Sequence, residues 1–226
     1  MRLGYQCGML WGSSLAVGAE SFRRYDNPDK AMAVAISTTQ HIMKSYKNRL
    51  NTIECAEVTE CDFNSKISMA KYMLTGKFLS CFKLAEGWAP DALQAAKEGL
   101  LDEQSDYPQS TLNCATEVVK KMGGSDEQAV MVAGFAGGLG LSGSGCGALA
   151  AAIWMSTFKW CGKNSGKSGY PNQNATKTLE NFYKATDYEA QCHKICGRRF
   201  ETIDEHTEFI KNGGCEKLIN ALAQEI

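Results

Sequence analysis

Apolar residues in this chain recur at intervals of three and four, the spacing of one helix face. Residues 7–25 read as a small-residue apolar helix that opens at Cys7. Asp26-Asn27-Pro28 breaks it, and Pro28 starts a longer helix to about Leu50 whose Ala31, Val34, Ala35, Thr38, Ile42 and Met43 share a face. Cys55 and Cys61 fall in a short irregular piece, and residues 66–74 form a further helix. After Gly76 a stretch opens at Cys81, followed by a helix from Pro90 to about Leu101. The polar, acidic run 102–110 is the expected linker. Beyond it come a helix at 111–122, closed by Gly123-Gly124, and one that starts at the capping box Ser125-Asp126-Glu127-Gln128 and reaches Phe135. A glycine-rich loop leads into a helix over 146–160. Helices at about 173–187, 204–211 and 215–226 complete the chain, with Cys192 and Cys196 in an irregular piece. Only residues 129–132 leave a strand open as an alternative. The expected fold is all-α, a tandem pair of similar helical-bundle units at 1–104 and 105–226.

The pair is expected because the chain repeats itself. Cys7-Gly8-Met9-Leu10 parallels Cys146-Gly147-Ala148-Leu149, and Cys81-Phe82-Lys83-Leu84 parallels Cys215-Glu216-Lys217-Leu218. Between these, Cys55 stands eight residues before Phe63 as Cys192 stands eight before Phe200. Cysteines in one order, at similar intervals and with matching neighbours, are the mark of a duplication. Nothing before Cys7 corresponds to Cys114 and the two helices that open the second unit. The first unit is therefore read as truncated.

Composition narrows the chemistry. The 226 residues are 44% hydrophobic and 22% charged, enough apolar material for a real core. A net charge of −1 gives no reason to expect a nucleic acid or an anionic membrane as partner. No apolar run is long enough to span a bilayer. The glycines and serines that interrupt residues 2–19 make this segment mature protein rather than a signal peptide. Ten cysteines are the unusual feature. A chain with its own core needs no disulfide framework, so the count points to metal, cluster or redox chemistry in the cytoplasm.

One stretch concentrates that chemistry. Residues 137–147 form a glycine-rich loop that delivers Cys146 to the start of an alanine-rich helix. Unpaired backbone N–H groups and the helix dipole there favour a thiolate or a sulfide, and predict a lowered pKa for Cys146.

These residues resemble a family described as redox-active and named for a pattern of one cysteine, a C-G-A-x-x-G motif and two further cysteines. Asn113-Cys114-Ala115 is similar to its first cysteine, Gly134-Phe135-Ala136-Gly137-Gly138 to its glycine loop and Cys146-Gly147-Ala148 to its central motif. Cys192 and Cys215 are similar to the last two cysteines. On this alignment Ala151 replaces the closing glycine. The first unit keeps that glycine as Gly12, but has Met9 for alanine and lacks the first cysteine. The resemblance implies redox activity.

Cys114, Cys146, Cys192 and Cys215 form the expected complete site, and Cys7, Cys55 and Cys81 the partial one. Four thiolates on a helical scaffold suit an iron–sulfur cluster used in electron transfer with a redox partner protein. Zinc is the alternative cofactor, although structural zinc prefers cysteines two to four residues apart. A thiol–disulfide oxidoreductase is the alternative activity. Cys61, Cys161 and Cys196 have no counterpart across the repeat and are expected to be structural thiols, with Cys61 also a candidate fourth ligand of the partial site. His41, His193 and His206 do not repeat, and Trp11, Trp88, Trp154 and Trp160 are expected to pack the core or cover the site. Gly138-x-Gly140-x-x-Gly143 imitates a dinucleotide fingerprint but lacks the acidic residue that should follow. Gly162-x-x-x-Gly166-Lys167-Ser168 falls one residue short of a P-loop. The missing start of the first unit leaves an apolar face that invites a homodimer.

Overall fold

A computed structural model describes residues 4–101, 107, 110–165 and 172–224. The unit boundary, nearly all of the expected linker, residues 166–168 of the P-loop-like run and the last two residues lie outside them. Among the described residues every regular element is helical. The N-terminal half holds α1 (Gly8–Arg24), α2 (Pro28–Leu50), α3 (Cys55–Thr59), α4 (Lys66–Leu74) and α5 (Phe78–Leu100). The C-terminal half holds α6 (Cys114–Lys121), α7 (Asp126–Met131), a 3-10 turn (Ala133–Phe135) and α8 (Gly147–Lys163). It continues with α9 (Gln173–Ala185), α10 (Cys192–Ile195), α11 (Ile203–Lys211) and α12 (Glu216–Leu222). No described helix is long and apolar enough to cross a membrane.

Local signals set most boundaries. Asn27 caps α2 by accepting from the Lys30 N–H, and Pro28 supplies the fixed φ of a first helical residue. Ser125 and Gln128 close the expected capping box at α7. Residues 129–132 run from α7 into the following turn, so the strand that a dinucleotide loop would require does not form.

Two expectations are corrected. Pro90 lies inside one continuous α5 rather than starting a helix. Packing on α2 outweighs the lost hydrogen bond: buried Trp88 meets Tyr46 edge-on at 4.9 Å and its indole N–H donates to Ser45 Oγ at 3.1 Å. The pieces holding Cys55 and Cys192 are single helical turns rather than irregular chain.

The halves share a core. Leu10, Tyr46 and Trp88 pack in one cluster with Val119, Phe135, Leu139 and Met155. Gly18 lets α1 approach the Met131 backbone so closely that a Cβ there would overlap it. Trp11 stacks edge-on against Phe135 at 4.8 Å. The face of α1 that the sequence left open is thereby covered by α7 and the 3-10 turn. Most of the exposed large apolar side chains lie instead on α4 and α5, among them Ile67, Leu74, Leu79 and Phe82.

Candidate functional site: a buried group of cysteines

Four separate segments bring the C-terminal cysteines together. Asn113, fully buried, caps α6 through Oδ1 to the N–H groups of Ala115 and Thr116 and so fixes Cys114 as the first residue of that helix. Cys146 is the residue before α8, and Cys192 opens α10. Backbone bonds join these two: Cys146 N–H donates to Ala190 O at 2.9 Å and Cys192 N–H to Ser144 O at 2.6 Å. Cys215 precedes α12 in a left-handed conformation (φ 59°) directly after Gly213-Gly214.

The loop between the 3-10 turn and Cys146 is a left-handed coil. Gly137, Gly138, Leu139, Gly140 and Leu141 all have φ between 55° and 84°. Glycine takes this region freely, but each leucine costs about 1–2 kcal/mol there. Both leucines are buried, which offsets that strain, and the coil closes on itself through Gly140 N–H to Gly134 O and Leu141 N–H to Ala136 O. Strain of this kind gathers where backbone must be aimed at something. The Gly137 N–H is placed to donate to the Cys114 sulfur, and the Ala148 and Leu149 N–H groups to that of Cys146. His193 Nδ1 bonds the Gly143 carbonyl at 2.7 Å and Arg199 bonds the Ser142 carbonyl, pinning the loop to the segment after Cys192.

The fifth member is Cys196, expected to be a structural thiol and found inside the group. Its sulfur lies 3.9 Å from that of Cys192 and 3.6 Å from that of Cys215. The repeat gives no sign of this placement, because Thr59 stands in the matching place of the first half. The four-residue step from Cys192, one helical turn, was the available signal. Cys161, by contrast, is exposed at the end of α8.

These thiols stand above their ordinary acidity range. Burial lifts Cys146 to about 12, against the pull of the Leu149 and Ala148 N–H groups. This overturns the lowered pKa expected for a helix N-terminus: desolvation of a buried thiolate outweighs the dipole. Burial raises Cys114 too, followed by Cys215 and Cys146 as neighbours. For Cys192 the hydrogen bond from Cys196 acts downward, but burial and the other thiols leave it raised. Cys196 is held at about 12, first by its bond with Cys192, while Cys215 is raised by its bond with Cys196 and then by burial. No cation appears among the groups acting on these five.

The N-terminal cysteines show a related arrangement. Cys7 N–H donates to Ile53 O at 2.8 Å and Cys55 N–H to Tyr5 O at 2.9 Å, the same two-bond bridge as in the other half. Burial lifts Cys55 to about 11, with Cys7, Cys81 and Cys61 adding to the effect. Cys81 lies within α5 rather than before a helix, and its sulfur is 3.5 Å from the Tyr72 hydroxyl. Cys61 is buried, 3.8 Å from Met69 Sδ.

The donor set can be tested against a metal group. Around the C-terminal cysteines it is sulfur alone, with backbone N–H groups directed at two of the sulfurs. Asn113 Nδ2, a buried N–H donor next to Cys114, has no partner. Among the described residues no three His, Cys, Asp or Glu side chains stand close enough to share one metal ion. An all-sulfur donor set with backbone N–H groups on two of its members is the chemistry an iron–sulfur cluster takes, since its sulfurs accept such hydrogen bonds.

Compared with known families, residues 109–226 match the one described as "putative redox-active protein (C_GCAxxG_C_C)". No curated protein and no solved structure matches the chain. The family's pattern runs Gly-Cys-Ala-x-x-Gly, so Gly145, Cys146 and Gly147 carry its first three positions and Ala150 its last. This shifts by one the alignment on which Ala151 departed. Gly147 stands where the family has alanine because the Phe135 carbonyl occupies the space a Cβ would need. With its single cysteine, its Gly-Cys step and two later cysteines in order, over more than half its length, the chain belongs to this redox-active C_GCAxxG_C_C family.

Proposed function

We propose that the chain is an electron-transfer protein whose C-terminal half binds an iron–sulfur cluster through Cys114, Cys146, Cys192 and Cys215. The observation that carries this is the convergence of buried Cys114, Cys146 and Cys192 with half-exposed Cys215, where loop and helix N–H groups face the sulfurs of Cys114 and Cys146. When bound, such a cluster accepts and releases single electrons. The chain's own part is positional. The α6 cap holds Cys114, the backbone bridge sets Cys146 against Cys192, and the left-handed coil supplies N–H donors that stabilise negative sulfur. Burial keeps water from Cys114, Cys146 and Cys192, and because the free thiols are neutral at pH 7, ligation must release their protons.

Cys7, Cys55 and Cys81 form a corresponding partial site in this reading, with Cys61 as its nearest further thiol. The matching bridges at Cys7/Cys55 and Cys146/Cys192 support a duplication. A thiol–disulfide oxidoreductase is the second reading, favoured by the 3.6 Å contact of Cys196 and Cys215.

The test is anaerobic purification followed by a visible spectrum with iron, sulfide and zinc counts. Iron with matching sulfide, lost in Cys146→Ser and kept in Cys161→Ser, is the expected result. Equal cluster content in the two variants would overturn the site. A colourless, metal-free sample that resists reconstitution would move the assignment to the dithiol.

A further inference from the structure

The sulfur of Cys196 touches two of the pattern cysteines, yet Cys196 is not one of the family's four. We propose that it forms a reversible disulfide with Cys215, which withdraws Cys215 from the centre when the centre is empty. The disulfide stands on geometry alone; its effect on the centre rests on the cluster reading above.

Three observations select Cys215 over Cys192 as the partner. The contact is shorter, 3.6 Å against 3.9 Å, and needs an approach of only about 1.5 Å to reach bonding distance. Cys196 and Cys215 are both half-exposed, whereas Cys192 is buried, so a dissolved oxidant reaches this pair first. The Cys192 N–H is tied across the fold to Ser144 O, whereas the Cys215 N–H donates to no backbone carbonyl among the described residues, although Gly213 and Gly214 before it are bonded back to Ile210 and Phe209.

The oxidant proposed is a low-molecular-weight disulfide such as oxidised glutathione. Cys196, as thiolate, attacks one sulfur of that disulfide; its S–S bond breaks, and the departing thiolate takes up the proton Cys196 gave up. Cys215 then attacks the Cys196 sulfur of the mixed disulfide and releases the second small thiol with its own proton. Two protein thiols are oxidised and one small disulfide is reduced to two thiols. An excess of the small thiol reverses both steps.

Metal-free full-length protein is incubated with oxidised glutathione, alkylated and digested with trypsin. Lys194 separates Cys192 from Cys196, so the three cysteines fall in different peptides. The expected product joins peptide 195–198 to peptide 212–217, disappears on reduction and in Cys196→Ser, and persists in Cys161→Ser. A link between Cys192 and Cys196 overturns the proposal, as does the absence of any link while Cys161 carries glutathione. Iron and sulfide are then offered to the oxidised and reduced samples. Uptake by the reduced sample alone is expected, and equal uptake overturns the withdrawal of Cys215. Failure of both samples to take up iron, with the 196–215 link present, sinks the cluster reading and leaves the disulfide standing.

Discussion

Cys146 and Cys192 are bound to each other's neighbourhoods through backbone alone, by Cys146 N–H to Ala190 O and Cys192 N–H to Ser144 O. The separation of their two backbones is therefore set by the fold itself. Cys7 and Cys55 are fixed in the same manner. Such preorganisation depends on what lies against the bridge, and Gly138 lies directly against it.

A Cβ on Gly138 would stand 2.8 Å from both Ser144 N and O and 2.9 Å from Cys192 Cβ, at φ 84°. Gly138→Ala therefore has to move the bridge as well as strain the backbone. Gly123 has a similar φ of 75° but open space around it. Gly123→Ala should cost about 1 kcal/mol, the conformational part alone, and Gly138→Ala about 2 kcal/mol or more. Urea unfolding of the two variants measures the difference, and equal losses would show that the bridge does not feel Gly138.

Restoring the family's residues around Cys146 should have unequal effects. Gly147→Ala puts a methyl group into the Phe135 carbonyl and should lower stability by about 2 kcal/mol or more, with loss of iron uptake. Ala150→Gly, on the half-buried side of α8, should cost only the helix propensity, about 1 kcal/mol, and leave uptake unchanged. A Gly147→Ala protein as stable as the parent would mean that the 3-10 turn yields easily.

Much of this was legible in the sequence because local rules decide it. Asn27-Pro28, the Ser125 box and the glycine pairs announce helix ends by satisfying or terminating backbone hydrogen bonds. The cysteine repeat located four positions held by matching backbone, Cys7, Cys55, Cys146 and Cys192, whereas Cys81 and Cys215 differ in their helical setting. What the sequence hid depends on contacts between distant residues. Pro90 reads as a start signal, and only the packing of Trp88 on Tyr46 makes it an interior residue. Leu139 and Leu141 carry no mark of a left-handed backbone, because their burial is what offsets that strain. Cys196 looked unpaired because its main partner, Cys215, comes from the far side of α11. The N–H groups of Ala148 and Leu149 at the start of α8 do pull the Cys146 thiol down, but burial, a property of the folded molecule, outweighs them.

That balance has a kinetic consequence. Only the thiolate reacts with iodoacetamide, and Cys146 is buried with its thiol held at about 12. In metal-free folded protein at pH 7.5 the exposed Cys161 should be labelled first and Cys146 should stay protected. Raising the pH toward 9.5 should speed labelling of Cys146 by about tenfold per unit, the growth of its thiolate fraction below the pKa. Mass spectrometry of timed samples follows each cysteine. Labelling of Cys146 at the rate of Cys161 would show that the helix N-terminus wins after all.

His206 makes the stability of the same region depend on pH. It is buried, edge-on to Phe200 at 4.8 Å, and a Cβ on Gly137 of the coil would stand 3.6 Å from its ring. Burial pushes its pKa down to about 4 from 6.5. The unfolded chain therefore binds a proton between pH 6.5 and 4 that the folded chain refuses. Stability is complete above pH 6.5 and falls as the pH drops through that window, by about 3 kcal/mol over the whole of it. Carboxylates titrate in the same range, so the readout is the difference between the parent and His206→Phe, which keeps an aromatic ring but cannot take the proton. Urea unfolding at pH 7 and pH 4.5 should show the parent losing about 2–3 kcal/mol more than the variant. Parallel losses in the two proteins would mean that His206 finds a way to hold its proton inside the fold.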